Sequence, residues 1–337
     1  MDYPVKYNFS EEFFRDEDRC GFTVSECMKR YWAASLRSLE IFDAICAKYG
    51  LKYWADCGTM LGAIRHKGFI PWDDDLDIGM LREDFNRFLE IAADELPSHY
   101  SVSFKDDPPR HNYNGIAVVN SLKAVSFDPA YLSEYYFCPF PVGFDIYPYD
   151  YVPGDKNARD AWRGRYLKVL LAFNLFRERK EGDADTCAAL KELGIDPAEA
   201  WKSPEEIRSE LLKMAESIAE ENKEGCGPFV NRFFFLATRG AYMDLPADWY
   251  KDLAIVPFET GTIPVLRHID DAVVKVFGNS WITPVMNSMS HDYPLYKRDI
   301  RFMIKFLEGG GMKLSALPPM LQYIRREADR LGIEYKS

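Results

Sequence analysis

The stretch from Gly58 to Met80, GTMLGAIRHKGFIPWDDDLDIGM, restricts what this chain can fold into more than any other part of it. A Gly-Thr pair and a basic segment precede an acidic run in which Asp75 and Asp77 flank the apolar Leu76. Successive side chains of a strand point to opposite faces, so this spacing predicts a strand from Asp75 to Met80. Asp75 and Asp77 then share one face while Leu76 and Ile78 enter the core. Two neighbouring carboxylates repel each other unless a cation lies between them, and hard oxygen ligands of this kind suit Mg²⁺ or Mn²⁺. The competing reading is an acidic turn that caps the helix beginning near Arg82.

Context favours the first reading. Small residues such as Gly58 and Thr59 let backbone N–H groups approach a phosphate closely. Arg65 and Lys67 add positive charge, and Pro71 and Trp72 stiffen the approach to the acidic strand. The whole string resembles the LicD family of phosphotransferases, whose nucleotidyltransferase-type domain carries the same glycine turn, Arg, Gly-Phe-Ile-Pro-Trp and Asp-rich sequence. A looser version is similar to the fukutin-related glycosyl-phosphate transferases. Resemblance is nearly continuous over residues 54 to 80. It is weaker through Phe144-Asp145-Ile146-Tyr147-Pro148-Tyr149-Asp150 and from Pro257 to Pro284.

Composition removes several alternatives. A net charge of −11 argues against nucleic acid held through its phosphates. Seven widely spread cysteines with no C-x-x-C pair suggest neither a disulfide framework nor a structural zinc, and suit reduced thiols in a cytosol. Cys57, beside the glycine turn, reads as a packing residue rather than a nucleophile. No apolar run is long enough to span a bilayer, and the amino terminus lacks the features of a secretory signal. The expectation is a cytosolic protein that meets any membrane-linked substrate at the inner face of the membrane.

Along the chain, Thr23 with Glu26 predicts a capped helix whose apolar stripe is Trp32, Leu36, Leu39, Phe42 and Cys46, stopped at Gly50. Strands are expected over residues 51–56, 75–80, 101–105, 115–119, 124–127 and 143–147, with helices after Gly58 and Leu81. From Trp162 to Phe176 and after Ser203-Pro204 the pattern is helical, with a polar connector over 177–186. A strand pair or turn over 258–264, a helix over 269–277 and a last, outer helix carrying Met320, Ile324, Ala328 and Leu331 complete the reading. The fold class is α+β: a nucleotidyltransferase-like mixed sheet with flanking helices and a helical C-terminal half. Its parts are an N-terminal extension (1–22), a catalytic core (23–153), a helical and mixed subdomain (154–297) and a C-terminal helical tail (298–337).

The resemblance implies that Asp75 and Asp77 are metal ligands. Asp145 is the third carboxylate, because a charge in the apolar strand Phe144–Ile146 is costly unless paired or bound to metal. It would serve as ligand or general base. Asp73 joins the same face if the strand starts early, whereas Asp74 and Asp150 read as structural. Gly58, Thr59 and Arg65 are expected to hold donor phosphates, with Lys67 either helping or merely solvated. Trp72, Tyr113, Tyr147 and Tyr149 could cage a quaternary ammonium or be ordinary core. Relatives carry a basic residue where this chain has Val118 and Val119. The residues point to a metal-dependent phosphotransferase, and the resemblance alone implies its substrates: a phosphocholine-like group moved from a CDP-linked donor to a sugar hydroxyl of a glycan or glycolipid. The rivals are transfer of a nucleoside monophosphate and a catalytically silent binding protein.

Overall fold

The structure, a computed structural model, describes residues 6–104, 115–232, 244–286 and 293–335. It opens on a small hairpin of β1 (Glu17–Arg19) and β2 (Phe22–Val24), which straddles residue 22. Ser25, not Thr23, then caps α1 (Glu26–Tyr49), its hydroxyl accepting the Met28 N–H at 3.2 Å. Thr23 is instead paired with Asp18 in the hairpin, so the helix start moves two residues downstream. The stripe from Trp32 to Cys46 is buried as expected, and Gly50 ends the helix at φ 70°, where a Cβ would be strained.

Next come β3 (Trp54–Ala55), α2 (Cys57–Arg65), β4 (Asp77–Leu81), α3 (Arg82–Glu95), β5 (Ser101–Ser103), β6 (Ala117–Asn120), α4 (Pro129–Glu134) and β7 (Gly143–Val152). The long β7 organises the sheet. It runs parallel to β4, with Asp77 beside Asp145, and antiparallel to β6, with Val118 on the other side of Asp145. Ile78, Met80, Ala117, Val119, Phe144 and Ile146 are all buried on one face, against which α1 and α3 pack. Alternation therefore sends Asp77, Asp145 and Tyr147 to the opposite face.

Several expected strands are trimmed or shifted, those over 101–105 and 115–119 to Ser101–Ser103 and Ala117–Asn120, and one is absent. The strand drawn from Asp75 begins at Asp77, because its partner β3 gives way to α2 at Cys57 and the last rung is Asp56 N–H to Asp77 C=O at 3.0 Å. The start of α2 likewise ends the strand read over 51–56 at Ala55, and only Trp54 and Ala55 of it pair with β4. Residues 124–127 form no strand; Ser126 donates to Pro139 C=O on the way into α4.

Four helices follow: α5 (Lys156–Glu178), α6 (Ala184–Glu192), α7 (Pro197–Ala200) and α8 (Pro204–Ala219). They bury a second apolar cluster around Trp162, Tyr166, Phe173 and Leu211. The predicted connector shrinks to a turn, since α5 reaches Glu178 and α6 starts at Ala184. After this unit the chain returns to the sheet as β8 (Phe229–Arg232), which pairs with the second half of β7 and carries the short β9 (Leu245–Pro246). The order is β3-β4-β7-β6-β5 with β8 and β9 extending from β7, so the fold is α+β with a mixed sheet.

A hairpin of β10 (Leu253–Phe258) and β11 (Gly261–Leu266), then α9 (Ile269–Phe277), α10 (Tyr296–Gly309) and α11 (Tyr323–Arg330), complete the chain. The helix α9 lies where the sequence puts it, whereas the pair read over 258–264 is a longer hairpin whose first strand starts five residues earlier, at Leu253. Ile324 and Ala328 of α11 are fully buried, and Tyr323 donates to Phe137 C=O at 2.8 Å, so this helix joins the main core rather than lying outside it.

Candidate active site

The site grows from the polar face of β4 and β7. Asp77 and Asp145 are register partners on adjacent parallel strands, and the Asp145 N–H donates to Leu76 C=O at 2.9 Å. Asp77 is 9% exposed. Burial pushes its carboxyl well above the usual range, and Asp145, Asp75, Asp73 and Asp56 push it further the same way. Asp75 does not lie on the strand. It sits in the loop before β4, where the carboxylate oxygens of Asp73, Asp74 and Asp75 come within 4.8 Å of one another. Asp73 is held up at about 7 by burial and by Asp75 and Asp74. Asp74 is turned inward and accepts the Leu295 N–H at 2.6 Å, in keeping with a structural role.

The N-terminus of α2 abuts this cluster. Asp56 caps the helix through the Cys57 N–H at 2.8 Å, so Gly58 and Thr59 lie in a helical first turn rather than a free loop. The orphan amides and dipole of that turn favour negative charge in front of it. A Cβ on Gly58 would stand 2.7 Å from Asp73 Oδ2, so the missing side chain here makes room for a carboxylate of the cluster. The Thr59 hydroxyl is buried and accepts the Asp77 N–H at 2.8 Å, which engages it in tying helix to strand.

Two residues of this face escaped the sequence reading. Asp56 continues the row of Asp77 and Asp145 across β3 and accepts the Tyr149 hydroxyl at 2.9 Å. Arg232, at the end of β8, lies opposite Tyr149, 3.7 Å from Asp56, and donates to Cys57 Sγ at 2.5 Å. Its guanidinium stands 5.2 Å from the centroid of the Tyr147 ring. Val118 of β6 brings no charge to this face, whereas Arg232 of β8 does. An acidic residue just before a helix start was a legible sign for Asp56. Nothing local in Phe229-Val230-Asn231-Arg232 announces which strand it joins.

The remaining expected residues are dispersed. Arg65 lies at the far end of α2, about 12 Å along the axis from Cys57, donating to Trp281 C=O and to His66 Nε2, each at 2.8 Å. Lys67 is exposed, and its carbonyl accepts the Glu259 N–H. Trp72 is buried with Leu61 and Ile70 in a cluster of its own, and Tyr149 is buried against Trp54 and Tyr250. Of the three described aromatics, Tyr147 is the one half-buried beside the carboxylates; Tyr113 lies outside the described residues. No four-walled cage forms among the described aromatics.

The donor set fits a hard divalent cation. Asp77 is buried, its surroundings are other carboxylates, and among the described residues no Lys or Arg forms an ion pair with it. Such a cluster is self-repelling at neutral pH unless a cation neutralises it.

The chain is similar to known proteins over part of its length. Residues 50–109 match the family described as LicD/FKTN/FKRP, nucleotidyltransferase domain. Over 144 residues the chain is 31% identical to the lipopolysaccharide cholinephosphotransferase LicD of Haemophilus influenzae, covering 43% of this chain and 52% of that protein. It is 36% identical over 86 residues to the uncharacterized protein RP689 of Rickettsia prowazekii, covering 24% of this chain and 32% of the relative. Over 49 residues it is 41% identical to the ribitol 5-phosphate transferase FKRP of Homo sapiens, covering 14% and 10%. The chain thus spans about half the length of the first of these relatives and less of the others.

Proposed function

Since this chain carries a nucleotidyltransferase domain of the LicD family, we propose that it is a phosphotransferase that moves a phosphorylated alcohol from a CDP-linked donor to a sugar hydroxyl of a glycan or glycolipid. The observation that carries this reading is the register pair Asp77 and Asp145 beside the N-terminus of α2. That arrangement offers acidic oxygens and a positive helix end on one face, as a diphosphate ester and its counter-ion require.

Asp77 and Asp145, with Asp75 or Asp73 from the loop, would hold Mg²⁺ or Mn²⁺. When bound, the cation supplies charge that offsets the phosphate oxygens during transfer. The first-turn amides of Gly58 and Thr59 bind the donor's phosphates. Arg232 adds cationic charge behind Tyr147 and steadies Asp56. Asp145, the less buried of the pair, takes the proton from the acceptor hydroxyl as its oxygen bonds to phosphorus. The P–O bond to the nucleotide breaks, and CMP leaves. Half-buried Tyr147 borders the pocket for the transferred head group.

Incubation with CDP-choline labelled in both the cytidine and the choline tests the proposal, with CDP-ribitol as a second donor. Release of CMP with transfer of the head-group phosphate supports it. Transfer of the cytidylyl group with release of the phosphorylated alcohol supports a nucleotidyltransferase instead, and no turnover of either donor with any glycan acceptor would favour a silent binding protein.

A further inference from the structure

The helix α10 lies far along the chain from the family-matched segment and sorts its residues sharply by face. Tyr296, Ile300, Met303, Ile304 and Leu307 are buried against the core, with Tyr296 donating to Glu327 at 2.7 Å. The opposite stripe, at helical steps of three and four, holds Arg298, Arg301, Phe302, Lys305 and Phe306, all exposed. Phe302 and Phe306 are 59% and 62% exposed, and Leu295 and Met312 continue the apolar content at the two ends.

Charge is sorted as well. The exposed charged residues of α10 are all cationic, whereas its acids, Asp299 and Glu308, are half-buried. This occurs in a chain of net charge −11. Two adjacent phenylalanines one helical turn apart, flanked by arginine and lysine, are costly to leave in water. They suit a plane with apolar interior and anionic headgroups, into which rings insert while the cations stay at the surface.

We propose that the exposed face of α10 docks the protein on an anionic lipid bilayer, lying in the headgroup plane without crossing it. No described helix is long and apolar enough to span a membrane. The occupant follows from charge complementarity: a neutral bilayer would use only the phenylalanines, and an acidic soluble partner would use only the cations. Docking of this kind is independent of the phosphotransfer chemistry proposed above.

The test is co-flotation of the full chain with vesicles of phosphatidylcholine alone and of phosphatidylcholine mixed with phosphatidylglycerol. Wild type should float with the mixed vesicles at least about tenfold better than with the neutral ones, and raised salt should weaken this. The pair Phe302→Ser/Phe306→Ser and the pair Arg298→Glu/Lys305→Glu should each reduce flotation about tenfold or more. Their melting temperatures should match wild type, since all four side chains are exposed. Failure of folded wild type to float with anionic vesicles would overturn the proposal, as would undiminished flotation of both variants. So would loss of a wild-type dimer in the phenylalanine variant without any change in flotation, which would make the stripe a contact between copies of the chain.

Discussion

The Thr59 hydroxyl accepts the backbone N–H of Asp77 at 2.8 Å, joining the first turn of α2 to the first residue of β4. Both groups are buried, so removing the acceptor strands a donor. Thr59→Val should therefore lower stability by about 1–3 kcal/mol and lower turnover with it, whereas Thr59→Ser keeps the bond and most of the activity. Thermal melts of the two variants check this. Equal melting temperatures would mean that the bond does not matter.

Gly58→Ala sets two effects against each other. Alanine gains up to about 1 kcal/mol of helix propensity over glycine. Its methyl would stand 2.7 Å from Asp73 Oδ2, which a side-chain rotation can relieve by moving that carboxylate. Stability is expected to change little while Mn²⁺ affinity, read by calorimetric titration, falls. Undiminished affinity would exclude Asp73 from the ion's surroundings.

Arg82 tests how the helical unit is fastened to the sheet. Its guanidinium makes a two-pronged pair with Asp150 at 2.7 and 2.9 Å and reaches Glu216 of α8 at 2.8 Å, all three residues being buried. Arg82→Met leaves two carboxylates without their cation and should cost about 3–5 kcal/mol by denaturant titration. Replacing Arg82, Asp150 and Glu216 together by apolar residues should recover much of it.

Arg65 and His66 give a pH signature. Burial, then Arg65 and Arg19, hold His66 down at about 4 against an ordinary 6.5, and its Nε2 accepts from Arg65. A histidine with a depressed pKa contributes stability that is present above the unfolded value and lost as pH falls from about 6.5 towards about 4. His66→Gln should flatten the melting-temperature profile across that window. Arg65→Lys should lower the melting temperature by losing the Trp281 carbonyl, with donor affinity unchanged. Weakened donor binding would return Arg65 to the phosphates.

Local patterns made the helices legible, because a buried stripe such as Trp32 to Cys46 or Trp162 to Phe176 repeats within one element. The pairing of Asp77 with Asp145 required only that two acid-bearing apolar strands share a sheet. What sequence could not carry was the end of a ladder. Asp75 falls off β4 because α2 begins at Cys57 in a different segment, and the strand pattern of residues 75–80 has no knowledge of that. Arg232 was invisible for a related reason: β8 rejoins β7 only after the four helices α5 to α8. Trp72 and Tyr149 misled because an aromatic near a motif looks the same in sequence whether it lines a site or fills a core.

Turnover of a labelled CDP-linked donor by Asp77→Asn and Asp145→Asn, at saturating Mg²⁺ and alongside melts in EDTA, addresses the carboxylate pair itself. Each variant should lose about a hundredfold or more in kcat. Asp77→Asn should also be at least as stable as wild type without metal, because burial and its neighbouring acids oppose its charge. Near-wild-type turnover in either folded variant would contradict the assignment of the Asp77–Asp145 face as the centre of phosphate transfer.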